Sequence, residues 1–194
     1  MKIITYPVGS YQTNCYLVVG EKNRCVLIDP GYEAAMLLDR LEQQSLKLDA
    51  ILLTHGHFDH VGAVRDIVAE TDCRVYLCQK EAGLPEHFTA GPLYYTHTYG
   101  EGDRITEAGL TFAVLHTPGH TPGSVCLLCE DVLFSGDTLF AGSIGRTDFP
   151  GGSFSEIRNS LYRLGELEGD FRVLPGHAEE TTLDYERKTN PFMK

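Results

Sequence analysis

Positions 54 to 60 read Thr54-His55-Gly56-His57-Phe58-Asp59-His60, with three imidazoles and a carboxylate packed into six consecutive residues. Imidazole and carboxylate together suit zinc, iron or manganese. Calcium wants oxygen throughout, and a soft metal wants sulfur. The apolar run Ala50-Ile51-Leu52-Leu53 just before the motif reads as a short buried strand, and a helical pattern begins near Val61. The motif therefore occupies a strand-to-helix loop. Two residues apart in extended backbone, His55 and His57 point the same way, while the start of the helix turns Asp59 and His60 elsewhere. That division suits two neighbouring metal ions, each taking one pair. A polar loop with chance histidines is the bland alternative, but four metal-competent side chains rarely crowd a buried strand end without use.

Three more candidates share one layout, a strand followed by glycine and a ligand. They are His120 in Thr117-Pro118-Gly119-His120-Thr121-Pro122-Gly123, Asp137 in Ser135-Gly136-Asp137-Thr138, and His177 in Pro175-Gly176-His177. Loops at one edge of a sheet can converge on one cavity, so the set is stronger than its parts. Asp29, which ends the strand before Pro30-Gly31, is either a second carboxylate supporting the metal loop or an ordinary turn residue.

The elements that must carry these loops follow from apolar periodicity and turn residues. Strands are expected at about 2–7, 14–20, 24–29, 50–54 and 74–78, with a helix over about 34–46 and a helix face at Val61, Val64, Ile67 and Val68. The second half repeats the pattern, with strands at about 103–107, 110–115, 124–129, 131–135 and 171–174 and helices near 154–166 and from 181. Two hydrophobic strands ending in Asp, at Asp29 and Asp137, hint at an internal duplication. Residues 80–100 read as irregular, and Phe88, Tyr94, Tyr95 and Tyr99 make them the best lid or substrate-wall candidate. His87 and His97 read as isolated surface residues.

Bulk composition narrows the function classes. At 194 residues, with 42% hydrophobic and 22% charged, the chain is an ordinary globular domain large enough for its own core. A net charge of −11 argues against nucleic acid, which needs a basic stripe. The longest apolar runs are strand length, so no membrane span is expected. Met1-Lys2-Ile3-Ile4-Thr5-Tyr6 alternates into a strand and lacks a signal-peptide layout, which predicts a cytoplasmic or organelle-matrix location. Cys15, Cys25, Cys73, Cys78, Cys126 and Cys129 are then expected as buried thiols. Cys126-Leu127-Leu128-Cys129 imitates a redox or zinc motif, but inside a strand its two thiols face opposite sides of the sheet.

With all these residues in view, the chain resembles the metallo-β-lactamase superfamily, and within it the glyoxalase II-like (hydroxyacylglutathione hydrolase-like) enzymes. The matches are HxHxDH as His55, His57, Asp59 and His60, then His120 in TPGHTPG, Asp137 in SGDTLF and His177 in PGH, in family order. The resemblance implies an α/β fold, a four-layer αββα sandwich filling residues 1–194 as one domain; larger glyoxalase II-like members add a C-terminal helical substrate domain, which is not expected here because only 17 residues follow His177. It assigns His55, His57 and His120 to a first metal and Asp59, His60 and His177 to a second, with Asp137 bridging both. The implied cofactors are two divalent ions, zinc foremost, with iron or manganese as alternatives. The implied activity is hydrolysis of a small-molecule acyl thioester, hydroxyacylglutathione-like, by a metal-bridging hydroxide that Asp59 orients. Arg146, in Gly145-Arg146-Thr147-Asp148, matches a basic position that contacts the thiol carrier in such proteins.

Elementary chemistry agrees. Two divalent ions about 3.5–4 Å apart share a hydroxide and make a nucleophile available at neutral pH. No separate general acid is visible, which favours a leaving group stable as an anion, such as a thiolate with pKa about 8.5. A persulfide dioxygenase using one iron on His55, His120 and Asp137 is the competing reading, and a lactone hydrolase is a variant of the first. A metal-free binding module would normally have lost ligands, and all seven are here.

Overall fold

The computed structural model describes residues 1–89 and 91–194. Three antiparallel strands open the first half, β1 (Lys2–Val8), β2 (Thr13–Val19) and β3 (Arg24–Ile28). Helix α1 (Ala34–Gln43) crosses over to β4 (Lys47–Leu52), which lies parallel to β3. Two short helices, α2 (Phe58–Val61) and α3 (Val64–Thr71), lead to β5 (Arg74–Cys78), and β6 (His97–Tyr99) closes a six-stranded sheet in the order β1-β2-β3-β4-β5-β6.

The second half is built from β7 (Arg104–Glu107), β8 (Leu110–His116), β9 (Val125–Cys129) and β10 (Val132–Gly136). A two-stranded hairpin, β11 (Leu139–Phe140) with β12 (Ser143–Ile144), precedes helix α4 (Phe154–Gly165). Then come β13 (Arg172–Pro175), β14 (Thr181–Thr182) and α5 (Leu183–Thr189). The second sheet has the order β14-β13-β10-β9-β8-β7. The run β1-β2-β3-α1-β4 thus has the same topology as β8-β9-β10-α4-β13, each ending in a parallel pair formed after a crossover helix. The duplication hinted at by Asp29 and Asp137 is real at the level of topology.

Burial explains why β4 reads as a continuous apolar run. Ala50 and Leu52 face the second sheet with Val26, Phe112, Val114 and Phe134, while Ile51 and Leu53 face the helices with Leu37, Leu41 and Ile67. A strand covered on both sides has no polar face to show. On the other side, α4 packs Leu161 and Leu164 against Leu133 and Val173, while Ile157, on the same stripe, is buried against Gly119. Ser153 starts this helix by accepting the Glu156 N–H (3.3 Å). Leu161 is fully buried, so Leu161→Ala would cost about 2–5 kcal/mol. The layers are helix, sheet, sheet, helix.

Two local expectations differ from the structure. The helix expected near Val61 is broken after that residue, because the Ala63 N–H is captured by the Pro30 carbonyl (3.1 Å). The 80–100 segment is also less open than its composition suggests. Tyr99 is buried between the sheets, where its hydroxyl donates to the Leu53 carbonyl, and Tyr94 lies under the Arg65 guanidinium (5.4 Å). Cys126 belongs to the α4 side and Cys129 to the space between the sheets, so the CxxC pair is split as expected. All six thiols are buried and unpaired. Among the described residues no helix is long and apolar enough to cross a membrane.

Candidate metal centre

Asp29 organises the loop after β4. Its backbone is left-handed (φ 51°), which swings the carboxylate across to the neighbouring strand end. There Oδ1 accepts the Thr54 N–H (2.7 Å), and Oδ2 accepts both the Thr54 hydroxyl (2.6 Å) and His60 Nδ1 (2.9 Å). Having given its proton to Asp29, the Thr54 hydroxyl can only accept from His55 Nδ1 (3.1 Å). Both rings therefore keep a proton on Nδ1 and point Nε2 inward. His120 and His177 are held in the same tautomer, by Nδ1 contacts to the carbonyls of Arg146 (2.8 Å) and Tyr11 (3.1 Å).

The inward atoms fall into two trios, each with ligand atoms within 4.8 Å of one another. The first is His55, His57 and His120, in which His57 Nδ1 and His120 Nε2 are 2.9 Å apart. The second is Asp59, His60 and His177, with Asp59 Oδ2 3.7 Å from His60 Nε2 and 3.3 Å from His177 Nε2. Asp137 stands between them. Its Oδ2 lies 3.5 Å from His120 Nε2 and 3.6 Å from His177 Nε2, and its Oδ1 lies 3.5 Å from His60 Nε2. Asp29 with His55 and His60 forms a third cluster, but the Asp29 oxygens already accept from Thr54 and His60. All seven sequence candidates meet in one place.

The fit to metal rests on orphaned atoms. His55 Nε2, His60 Nε2 and Asp137 Oδ1 are buried with no hydrogen-bond partner among the described residues. Each such atom costs about 1–3 kcal/mol unless something satisfies it. Nitrogen and carboxylate donors converging on two points fit two divalent cations of the zinc, iron or manganese type.

Charge state differs between the trios. Burial, reinforced by the neighbouring imidazoles, pulls His55 down and takes His57 to about 4, so both are neutral near pH 7. Burial also acts on His60, but Asp137, Asp29 and Asp59 outweigh it and raise that ring to about 9. Burial pushes Asp59 up, yet its hydrogen bond to His177 and the charges of His60 and His177 hold it well below the usual carboxylate range.

Several supporting residues gave no signal in the sequence. The Thr13 hydroxyl donates to Asp59 Oδ2 (3.2 Å), and Asn14 Nδ2 ties β2 to the carbonyls of Pro175 and Ala178 beside His177. Glu81, fully buried, accepts the Gly56 N–H with Oε2 and the Gly123 N–H with Oε1, both at 2.6 Å. It thereby joins the loop of His55 and His57 to the loop of His120. The glycine before His177 is required, since a Cβ at Gly176 would sit 2.2 Å from Asp137 Oδ1.

The centre opens into a cleft of about 520 Å³. Phe88 and Phe149 stand on one side, with ring centroids 4.9 Å apart and each about 6 Å from His57 (6.0 and 5.9 Å). Tyr11, Phe58 and Phe140 stand on the other. Arg146 reaches this rim as expected. Its guanidinium lies 3.6 Å above the Phe149 ring and donates to Asp148 from both Nε and Nη2 (2.8 Å each). Of the four rings expected to form a wall, only Phe88 lines the cleft, and His87 and His97 lie outside it.

With this arrangement in hand, the sequence profile of the Metallo-beta-lactamase superfamily matches residues 8–177. The chain belongs to that superfamily. A metallo-β-lactamase fold is also found in the solved structures it resembles. The BLEG-1 B3 metallo-β-lactamase superposes with a TM-score of 0.92 at 37% identity, covering 100% of both chains. A protein crystallised in a di-iron-bound form superposes at 0.88 with 41% identity, covering 97% of this chain and 99% of its own. The hydroxyacylglutathione hydrolase GloC of Haemophilus influenzae is 35% identical over 208 residues, covering 100% of this chain and 98% of its own length. As a superfamily member with a histidine-rich centre, the chain is of the metal-dependent hydrolase type.

Proposed function

We propose that the chain hydrolyses acyl thioesters, with His55, His57 and His120 holding one divalent ion, Asp59, His60 and His177 a second, and Asp137 touching both. The observation that carries this reading is the pair of trios spanned by Asp137 at the floor of an open cleft. Bound there, the two ions would supply a hydroxide at neutral pH and polarise the substrate carbonyl. Asp59 is held ionised and can orient that hydroxide by accepting its hydrogen bond. The hydroxide oxygen bonds to the acyl carbon, the C–S bond breaks, and the sulfur leaves with the electron pair as a thiolate.

The leaving group follows from the cleft. Apart from the ligands, its described lining offers only Tyr11 and Arg146 as titratable groups, and neither side chain has an ordinary pKa near neutrality. A thiolate needs no proton to depart, whereas the amine released from an amide or a β-lactam does. GloC supports the thioester reading, and Arg146 is the rim residue that would meet the thiol carrier. Zinc, iron or manganese would serve.

The test is elemental analysis of protein purified without added metal, paired with thioester turnover. Two divalent ions per chain and thiol release are expected. One iron per chain with oxygen uptake on a persulfide would replace this reading with the dioxygenase one.

A further inference from the structure

We infer that the cleft selects thioesters apolar on both sides of the reacting carbonyl and carried on an uncharged thiol, in preference to acyl-glutathione. This rests on the thioester reading of the same site and narrows its substrate class.

A carbonyl seated over the ligands must extend one half of the substrate toward each wall. Phe88 and Phe149 make one wall and Tyr11, Phe58 and Phe140 the other, so either orientation presents both halves to rings. The volume, about 520 Å³, suits a small molecule held on both sides. A carboxylate pressed against phenyl rings loses water without gaining a partner. Each buried methylene, in contrast, adds about fourfold to kcat/KM.

Charge points the same way. Glutathione carries two carboxylates and one ammonium, a net negative carrier. Among the described lining residues Arg146 is the only fixed cation, and Asp148 takes its Nε and Nη2 while its flat face covers Phe149. The rim pair is thus neutral as a unit, and Asp148 competes with any substrate carboxylate for the Arg146 guanidinium. The chain's net charge of −11 adds long-range repulsion toward any anionic carrier.

The experiment uses the full metal-loaded chain and four thioesters, S-phenylacetyl and S-lactoyl on glutathione and on N-acetylcysteamine, with each kcat/KM normalised to the hydroxide-catalysed rate. The phenylacetyl N-acetylcysteamine thioester is expected to lead lactoylglutathione by more than tenfold. Asp148→Asn, at an exposed position, frees the Arg146 fork. It should raise the ratio of glutathione to N-acetylcysteamine kcat/KM by roughly two- to fivefold, the worth of an exposed charge contact. Lactoylglutathione as the preferred substrate, or an Asp148→Asn ratio equal to wild type, overturns the inference. Failure of all four thioesters with both ions bound overturns the thioester reading itself.

Discussion

Replacing Glu81 by Gln tests whether the first trio is set by its own loops or by the carboxylate that joins them. Glu81 is fully buried and accepts two backbone N–H groups at 2.6 Å, one from Gly56 between His55 and His57, the other from Gly123 three residues past His120. Burial raises its carboxyl, and these contacts, with the Thr121 hydroxyl, oppose that rise. Gln keeps one acceptor oxygen but presents an NH₂ to the second N–H, so one charge-assisted contact is lost and a buried donor is stranded. The expected loss is about 1.5–3 kcal/mol of stability for Glu81→Gln, and about twice that for Glu81→Ala. Urea unfolding of the metal-stripped protein measures it. A chelator competition series should then show the ion on His55, His57 and His120 weakened by roughly tenfold or more, since 1.4 kcal/mol is a factor of ten. The ion on Asp59, His60 and His177 should be less affected, because Glu81 meets the 54–60 segment at Gly56, ahead of helix α2 that carries Asp59 and His60, and does not touch the loop of His177. Reduced stability with both affinities unchanged, or both reduced alike, would refute the claim that Glu81 sets the first trio.

Other consequences are as direct. Asp137→Ala should release both ions together, because its oxygens face both trios; two ions retained through gel filtration, counted by elemental analysis, would exclude the bridge. Asp29→Asn leaves two of three donors without a carboxylate acceptor and frees the His60 tautomer, so metal affinity should fall about 10- to 100-fold in a competition assay. In the metal-free chain His60 is raised to about 9 while His55 and His57 are neutral at pH 7. A metal must displace the His60 proton, so second-ion affinity should climb roughly tenfold per unit between pH 7 and 9, while His55 and His57 have no proton to give up. The linked stability has the opposite sense: the contribution of protonated His60 is complete below about pH 6.5 and disappears as pH rises through about 9. Calorimetric titration at several pH values checks the first, and a pH-independent second affinity would refute it.

What was legible in the sequence was whatever announced itself by residue type and spacing. His55, His57, Asp59 and His60 crowd one loop, and His120, Asp137 and His177 each follow a glycine at a strand end. A ligand set and its strands could therefore be named together. Asp29 was half legible, since a turn aspartate and a bracing one look alike until the left-handed backbone aims the side chain. Glu81 was invisible because its partners are backbone N–H groups, which carry no residue identity. Tyr94 and Tyr99 were misread for a related reason. Aromatic content in an irregular stretch says nothing about direction, and a strand as short as β6 leaves no alternation to read, yet it turns Tyr99 into the core. The hairpin β11 and β12 escaped in the same way, each strand being two residues long.

Position 146 faces two ways, and that separates what can change there from what cannot. Its carbonyl holds the His120 ring in register, while its side chain lies on the cleft wall. The neighbouring Gly145 has no freedom at all, since a Cβ would fall 1.8 Å from the Asp137 carbonyl oxygen. Substitution at 146 can therefore retune what the rim accepts while every ligand stays in position. An insertion or deletion in the same segment would displace the carbonyl and dismantle the first trio. A lineage descended from this chain could explore new substrates by point changes at the rim, but only along a backbone whose length is fixed by the metal.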